Sequence, residues 1–282
     1  MDFIESYYNI VPEFFSHRQI AVIADFHDRN CESIISCLRI AKPDIILIAG
    51  DLLSTKKIYN SEYSYDPEHS FISDCPNADR FVHVAPSIAP TFFTSGNHEW
   101  CVTEADMERM KSAGIMVLEN AWTKYKGLII GGMASPDLSN YLEFEAYWRK
   151  EHPSDRRGNI RSSFFYWKTH DERKTPDFSW LPEFERQAGF KILMCHHPEY
   201  WTLREPKLFF HPIDLVLAGH AHGGQIRFGN RGVYAPGQGL FPRYVGGVYQ
   251  GVYGKMIVSR GLSNTSRIPR IGNPPELVFV KF

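Results

Sequence analysis

The chain has 282 residues, with 31 basic against 32 acidic side chains and a formal net charge of -1. Such neutrality argues against nucleic acid as the main partner, because proteins that hold a long polyanion usually carry a basic excess. The 43% hydrophobic content excludes a disordered chain, and no apolar run reaches the about 18 residues of a membrane-spanning helix.

Residues 1–8 carry neither a basic leader nor an apolar run, so no secretory signal is expected. Residues 20–24 (Ile-Ala-Val-Ile-Ala) form a continuous apolar run of the kind buried on both faces of a sheet. A helix is predicted from Asn30 as N-cap through Ile40, ended by Pro43, and residues 45–49 form a second apolar strand. Strand, helix, strand in about 30 residues is a βαβ unit and predicts parallel pairing. Residues 53–90 are polar and irregular, with a helix expected over 77–84. A strand over 91–94 follows, then a helix capped by Thr103 and stopped at Gly114. Short strands are predicted at 116–118, 122–125 and 128–131, the last two joined at Lys126-Gly127 as a hairpin.

Residues 134–180 break this rhythm with Asp, Ser and Pro punctuation and many aromatics, which predicts an insertion packed on a single domain spanning 1–282. A helix over 177–188 leads to strands at 191–195 and 214–218. Segments 226–228, 256–259 and 277–281 predict an antiparallel closing sheet. The five cysteines (Cys31, Cys37, Cys75, Cys101, Cys195) are odd in number and lack CxxC spacing. Neither disulfides nor thiolate zinc is expected, and a reducing cytoplasm is the expected location.

Five clusters place metal-capable side chains just after an apolar strand: Asp25-Phe26-His27, Gly50-Asp51, Gly96-Asn97-His98-Glu99, Cys195-His196-His197-Pro198 and Gly219-His220-Ala221-His222-Gly223-Gly224. Ligands of open α/β sheets collect beyond the carboxyl ends of strands, so all five project toward one edge. Two divalent ions about 3.5–4 Å apart need a shared carboxylate with oxygen and imidazole donors around it. Positions i and i+2 face the same way, which lets Asp25 with His27, and His220 with His222, reach one ion each. Each cluster alone also has a plainer reading. Asp25 and His27 are common strand-end residues, Gly50-Asp51 is turn chemistry, Asn97 and His98 can cap a helix, and one of His196 and His197 is a core histidine.

In this order the clusters resemble the calcineurin-like metallophosphoesterase superfamily, whose pattern runs D-x-H, G-D, G-N-H-[DE], H-x-P, G-H-x-H. The later Val258-Ser259-Arg260-Gly261-Leu262 and Pro275-Glu276 resemble its YkuE-like bacterial branch. The resemblance implies a four-layer α/β/β/α sandwich of two mixed sheets flanked by helices. It implies two divalent metal ions, Mn2+ expected and Fe2+ or Zn2+ also suited. Asp25, His27 and His222 would hold one ion, Asn97, His196 and His220 the other, and Asp51 would bridge. His196 rather than His197 stands in the H-x-P register. Asn97 and His98 would contact the substrate, with His98 as catalytic acid. Ser54 stands where the family often has a second aspartate, a change expected to loosen the loop after Asp51. Asp28-Arg29 stands where the family usually has glycine after the first motif, and the export signal or anchor of many YkuE-like relatives is not expected here.

The function expected is hydrolysis of a small-molecule phosphate ester, monoester or diester. One alternative is a pyrophosphatase of a nucleotide-linked glycolipid of the UDP-diacylglucosamine type, with peripheral membrane contact and with Trp148, Trp167, Tyr200 and Trp201 meeting the apolar tail. The other is a non-catalytic metal-binding scaffold. Basic residues including Arg227 and Arg243 are expected to be solvated, and Cys195 to be a small buried hydrophobe.

Overall fold

The computed structural model describes residues 3–10, 18–54, 70–99, 102–135, 176–265 and 268–282. The chain begins β1 (Ile4–Asn9), β2 (Gln19–Ile23), α1 (Glu32–Ala41), β3 (Ile45–Ala49), α2 (Pro76–Ile88), β4 (Thr91–Thr94), α3 (Glu104–Ser112) and β5 (Ile115–Val117). It continues β6 (Ala121–Tyr125), β7 (Leu128–Met133), α4 (Leu181–Glu185), β8 (Phe190–Cys195) and β9 (Leu215–Ala218). Four two-residue strands follow: β10 (Arg227–Phe228), β11 (Arg231–Gly232), β12 (Tyr234–Ala235) and β13 (Gly239–Leu240). The last three are β14 (Gly247–Gln250), β15 (Lys255–Val258) and β16 (Glu276–Lys281).

Two six-stranded mixed sheets result, in the orders β1-β16-β2-β3-β4-β5 and β14-β15-β9-β8-β7-β6. The strands β2, β3, β4 and β5 run parallel, as do β7, β8, β9 and β15. The apolar runs are continuous because both faces of each central strand are covered. Ile46 and Ile48 of β3 face the cluster under α1 and α2, while Ile45 and Leu47 face the layer between the sheets. In β8, Ile192 and Met194 enter that shared layer, and Leu193 packs on the far side with Leu181 and Phe184 of α4. Three apolar layers separate helix, sheet, sheet and helix, which is the α/β/β/α sandwich expected. No helix among the described residues is long and apolar enough to cross a membrane.

Several expectations change. The closing segments split between the sheets: β15 pairs parallel with β9, whereas β16 pairs antiparallel with β2 and parallel with β1, a strand not foreseen. Segment 226–228 joins neither large sheet: Arg227 and Phe228 form the small ribbon β10–β11, and Ile226 makes an isolated bridge to Ile271. The helix over 177–188 shrinks to the five residues of α4, because Asp177 makes its own turn with Ser179 N–H and Gly189 (φ 133) ends the segment. α1 begins one residue later than expected. Asn30 still accepts the Glu32 N–H at 3.0 Å, but Cys31 occupies the cap position. Most of 134–180, including Trp148 and Trp167, lies outside the described residues, as does Cys101. Tyr200 and Trp201 are 3% and 2% exposed in the core, not lining a site for an apolar tail.

Candidate metal centre

Each candidate residue follows a parallel strand, in three stretches from one sheet and two from the other. Asp25 and His27 follow β2, Asp51 follows β3, and Asn97 and His98 lie on the 3-10 turn Asn97–Glu99 after β4. From the other sheet, His196 follows β8 while His220 and His222 follow β9. The sheets are stitched at these ends: His196 Nδ1 lies 2.8 Å from the Ala49 carbonyl, and Leu262 N–H donates to the Ala24 carbonyl at 3.0 Å.

Donor atoms collect in overlapping groups, each with all members within 4.8 Å of one another: Asp25, His27 and His222; His27, Asp51 and His98; Asp51, His196 and His220. Asp51 Oδ2 is 3.2 Å from His196 Nε2, 3.6 Å from His27 Nε2 and 3.9 Å from His98 Nε2. Asp25 Oδ1 is 3.6 Å from His222 Nε2. Asn97 is flanked by two contacts to Asp51: a Cβ on Gly96 would strike its carboxylate, and the His98 N–H donates to Oδ1 at 2.8 Å.

The chain is bent hard to bring this about. Asp25 (φ 49), His27 (φ 47), Asp51 (φ 56), His220 (φ 66) and His222 (φ 45) all adopt the left-handed region. Non-glycine residues seldom go there, and such strain concentrates at functional sites. Backbone bonds between loops hold them, His27 N–H to the Asp51 carbonyl at 3.0 Å and Asp25 N–H to that of Gly50 at 3.2 Å.

Four of the buried polar atoms without a hydrogen-bond partner belong to these candidate residues: His27 Nε2, Asp51 Oδ2, Asn97 Oδ1 and His196 Nε2. Buried polar atoms are normally paired, so orphans in one cluster point to a ligand. Three rings are tied at Nδ1 to backbone carbonyls, His27 to Leu53 (3.2 Å), His196 to Ala49 (2.8 Å) and His222 to Ser263 (3.2 Å). With the proton assigned to Nδ1, the Nε2 lone pair of each is free to ligate. Burial pushes His27 and His220 well below the ordinary histidine value, and His222 below it. Burial opposes ionisation of Asp51, yet the imidazoles of His196, His98 and His27 prevail and hold it well below the usual carboxylate range. Burial likewise opposes a charged His196, but Asp51 beside it pushes the ring up to about 10. The cluster thus favours positive charge beside Asp51.

Sequence reasoning missed the supports. Glu99 is fully buried. Its carboxylate accepts the N–H groups of Gly96 (2.6 Å), Asp51 (2.8 Å) and Leu53 (3.0 Å), so the loop after Asp51 is clamped despite Ser54. Asp28 accepts the N–H groups of Asn77 (2.7 Å) and Ala78 (2.8 Å) and fastens the first turn of α2 to the first motif. Gly261 (φ 74) lies against Asp25, and a Cβ there would come within 2.5 Å of Oδ2. Of the residues expected to be solvated, Arg227 is instead 6% exposed and donates to the carbonyls of Gly223 and Val245. His197, its side chain 12% exposed, has its Nε2 on Ser135 Oγ at 3.0 Å and lies near His220. The Cys195 thiol is buried and pushed up to about 12 by burial, as a small hydrophobe should be.

The profile of the family described as calcineurin-like phosphoesterase matches residues 18–224 of the 282. The chain belongs to that family. An uncharacterized protein of Bacillus subtilis, YpbG, is 37% identical over 90 residues, 32% of this chain and 30% of that protein. The matched part is therefore less than a third of that relative's length. A dimetal phosphatase from Danio rerio superposes at a TM-score of 0.47 and 10% identity, over 86% of this chain and 87% of that one. TT1561 of Thermus thermophilus gives 0.46 and 10%, over 87% and 90%. For a calcineurin-like phosphoesterase the donor set fits a binuclear divalent metal site. Carboxylate, amide oxygen and neutral imidazole suit hard-to-borderline cations, and the orphaned atoms are of those types.

Proposed function

We propose that the chain hydrolyses a phosphate ester at two divalent ions, with Asp25, His27 and His222 at one, Asn97, His196 and His220 at the other, and Asp51 between them. The observation that carries this reading is the convergence of three orphaned buried atoms: Asp51 Oδ2 lies 3.6 Å from His27 Nε2 and 3.2 Å from His196 Nε2. Bound ions would lower the pKa of a water held between them and offset charge on the phosphoryl oxygens.

The chain's own groups do the rest. Asp51 stays ionised, and the His98 N–H on its Oδ1 keeps Oδ2 directed at His27 and His196. His98 is the most accessible ring in the groups around Asp51 and Asp25, its side chain 17% exposed against 4% for His222. It can reach an incoming ester and protonate the leaving alkoxide. Asn97 Oδ1, on the neighbouring residue, is buried without a hydrogen-bond partner and so is available as an oxygen donor. Among candidate ions Mn2+ is our choice, on the mixed oxygen and nitrogen donors. The contacts of Gly261 with Asp25 and of Glu276 with the Arg260 N–H (2.9 Å) give the YkuE-like motif residues a structural purpose and support placement in that branch.

The test is metal content by mass spectrometry, with turnover of phosphomonoesters, phosphodiesters, cyclic nucleotides and nucleotide-sugars in added Mn2+. Two ions and turnover of one class are expected. Two ions without turnover of any ester would make the protein a scaffold.

A second reading, pyrophosphatase action on a nucleotide-linked glycolipid, draws on Phe228 and Leu240 of the ribbons that follow His222 and on Phe241 just after them, which are 74, 70 and 79% exposed. Liposome flotation separates the two, because an enzyme of soluble esters stays in solution.

A further inference from the structure

On the Nδ1 side of His222, opposite the Nε2 that faces Asp25, the chain buries guanidinium donors that it does not use. Arg270 Nη2 donates to the Ser263 carbonyl and lies 3.3 Å from His222 Nδ1, which shares that carbonyl. Its Nε and Nη1 are buried without a hydrogen-bond partner, and so is the Nε of Arg260. A guanidinium offers five N–H donors and no acceptor, and burying such donors unpaired is costly. A structure that keeps three orphaned guanidinium nitrogens together has a use for them.

The charge is as uneven as the donor count. Arg29 donates to the Leu262 carbonyl and Arg270 to that of Ser263, so two guanidiniums stand on adjacent carbonyls. Arg260 precedes them in the same stretch. The point where a Cβ on Gly246 would sit is 3.7 Å from its Nε and 3.2 Å from Arg227 Nη1. Burial pushes Arg270 down to about 10 against the pull of Asp25 and Glu276, and the charges of Arg29 and Arg260 add to it. Glu276 is already engaged, with the Arg260 N–H on Oε2 at 2.9 Å and the Tyr8 hydroxyl 3.4 Å from Oε1, which is also 3.9 Å from Arg260 Nε. Asp25 faces the proposed ions. Arg227 spends donors on the carbonyls of Gly223 and Val245, whereas Arg29, Arg260 and Arg270 are only half-buried, so an anion can reach them from solvent.

We infer that Arg270, with Arg29 and Arg260, forms an anion subsite beside the metal centre, which takes a second phosphate group of the substrate, remote from the one hydrolysed. Arg270 links the two places, since one of its nitrogens touches the ring of an expected ion ligand while two others are unspent. A planar guanidinium matches two phosphate oxygens at once. The subsite itself stands without the ions. That its occupant belongs to a substrate rests on the two-ion reading.

The first experiment titrates inorganic phosphate into the full chain in chelator, comparing wild type with Arg270→Gln by calorimetry and by NMR of the arginine Nε–H groups. One saturable site is expected in wild type, weakened roughly 10-fold or more in the variant. No saturable binding, or equal binding by both proteins, overturns the subsite. If Arg270→Gln does not fold, the wild-type resonances decide: phosphate should shift those of Arg260 and Arg270, and unmoved resonances overturn the subsite. The Mn2+-loaded protein then separates a substrate group from free phosphate. In wild type, KM for a diol bisphosphate should lie roughly 10-fold below that for the matching monophosphate, and in Arg270→Gln the ratio should approach one. Equal KM values in wild type overturn the substrate assignment. A wild type that binds no ion overturns the two-ion reading, and the titration in chelator judges the subsite independently of it.

Discussion

Asp51 is where most of the site's contacts meet: three imidazoles from two sheets surround its carboxylate, and a backbone N–H fixes one oxygen. The rings around it divide by exposure, and this separates their expected phenotypes. His222 is buried with its Nε2 on the Asp25 side, so His222→Ala should lose one ion and fall to background turnover. His98 reaches solvent, so His98→Ala should keep both ions while turnover drops by about 10²–10⁴-fold. Mass spectrometry with steady-state kinetics on the same preparations checks both, and loss of both ions from His98→Ala would contradict the division of roles.

At the level of elements, helices and loops hold the bent segments in place. α3 carries a capping box, with Thr103 accepting the Asp106 N–H and Asp106 the Thr103 N–H. Removing such a cap costs about 1 kcal/mol, so Thr103→Ala should lower Tm by roughly 2–4 °C and leave metal content unchanged, as calorimetry and mass spectrometry would report. Thr103 and the apolar runs of β2, β3, β8 and β9 were legible because each rests on local pattern: a cap with its partner three residues on, or a run too apolar to face water. The candidate donors that gather around Asp51 and Asp25 stood out for the same reason, each lying next to such a run. Glu99 was not, since its partners at Asp51 and Leu53 lie 48 and 46 residues away in the chain. Nor was β1, an edge strand whose residues alternate between exposed and half-buried and which gains its place only by pairing with β16. Local pattern likewise does not tell which sheet β15 and β16 join.

For the whole molecule, ions bound only by the folded state add stability by mass action. Each ion at about 1000 times its Kd contributes about 4 kcal/mol, so a chelator should lower Tm by roughly 8–16 °C per ion, read by differential scanning calorimetry. The metal-free protein should also respond to pH through Glu119, whose carboxyl accepts the N–H and Oγ–H of Ser95 at 2.7 and 2.8 Å. Burial pushes it up to about 8 from 4.5. The fold therefore favours the neutral acid, and the stability this confers is full below about 4.5 and lost as pH rises through about 8. Glu119→Gln has no such loss, so in chelator its Tm should rise relative to wild type from pH 5 to pH 8. A constant difference would assign Glu119 an ordinary titration.

Because Asp51 hangs from one sheet and His196 from the other, the cage is a gauge of how the two halves are aligned. A slip of an ångström along the shared apolar layer would open the 3.2 Å approach of these side chains while every strand stayed paired within its own sheet. Chemistry would then fail before the fold does, and sensitivity to damage in the layer between the sheets, at Leu47 or Ile192 for example, would surface as lost cation retention in a protein that still melts cooperatively.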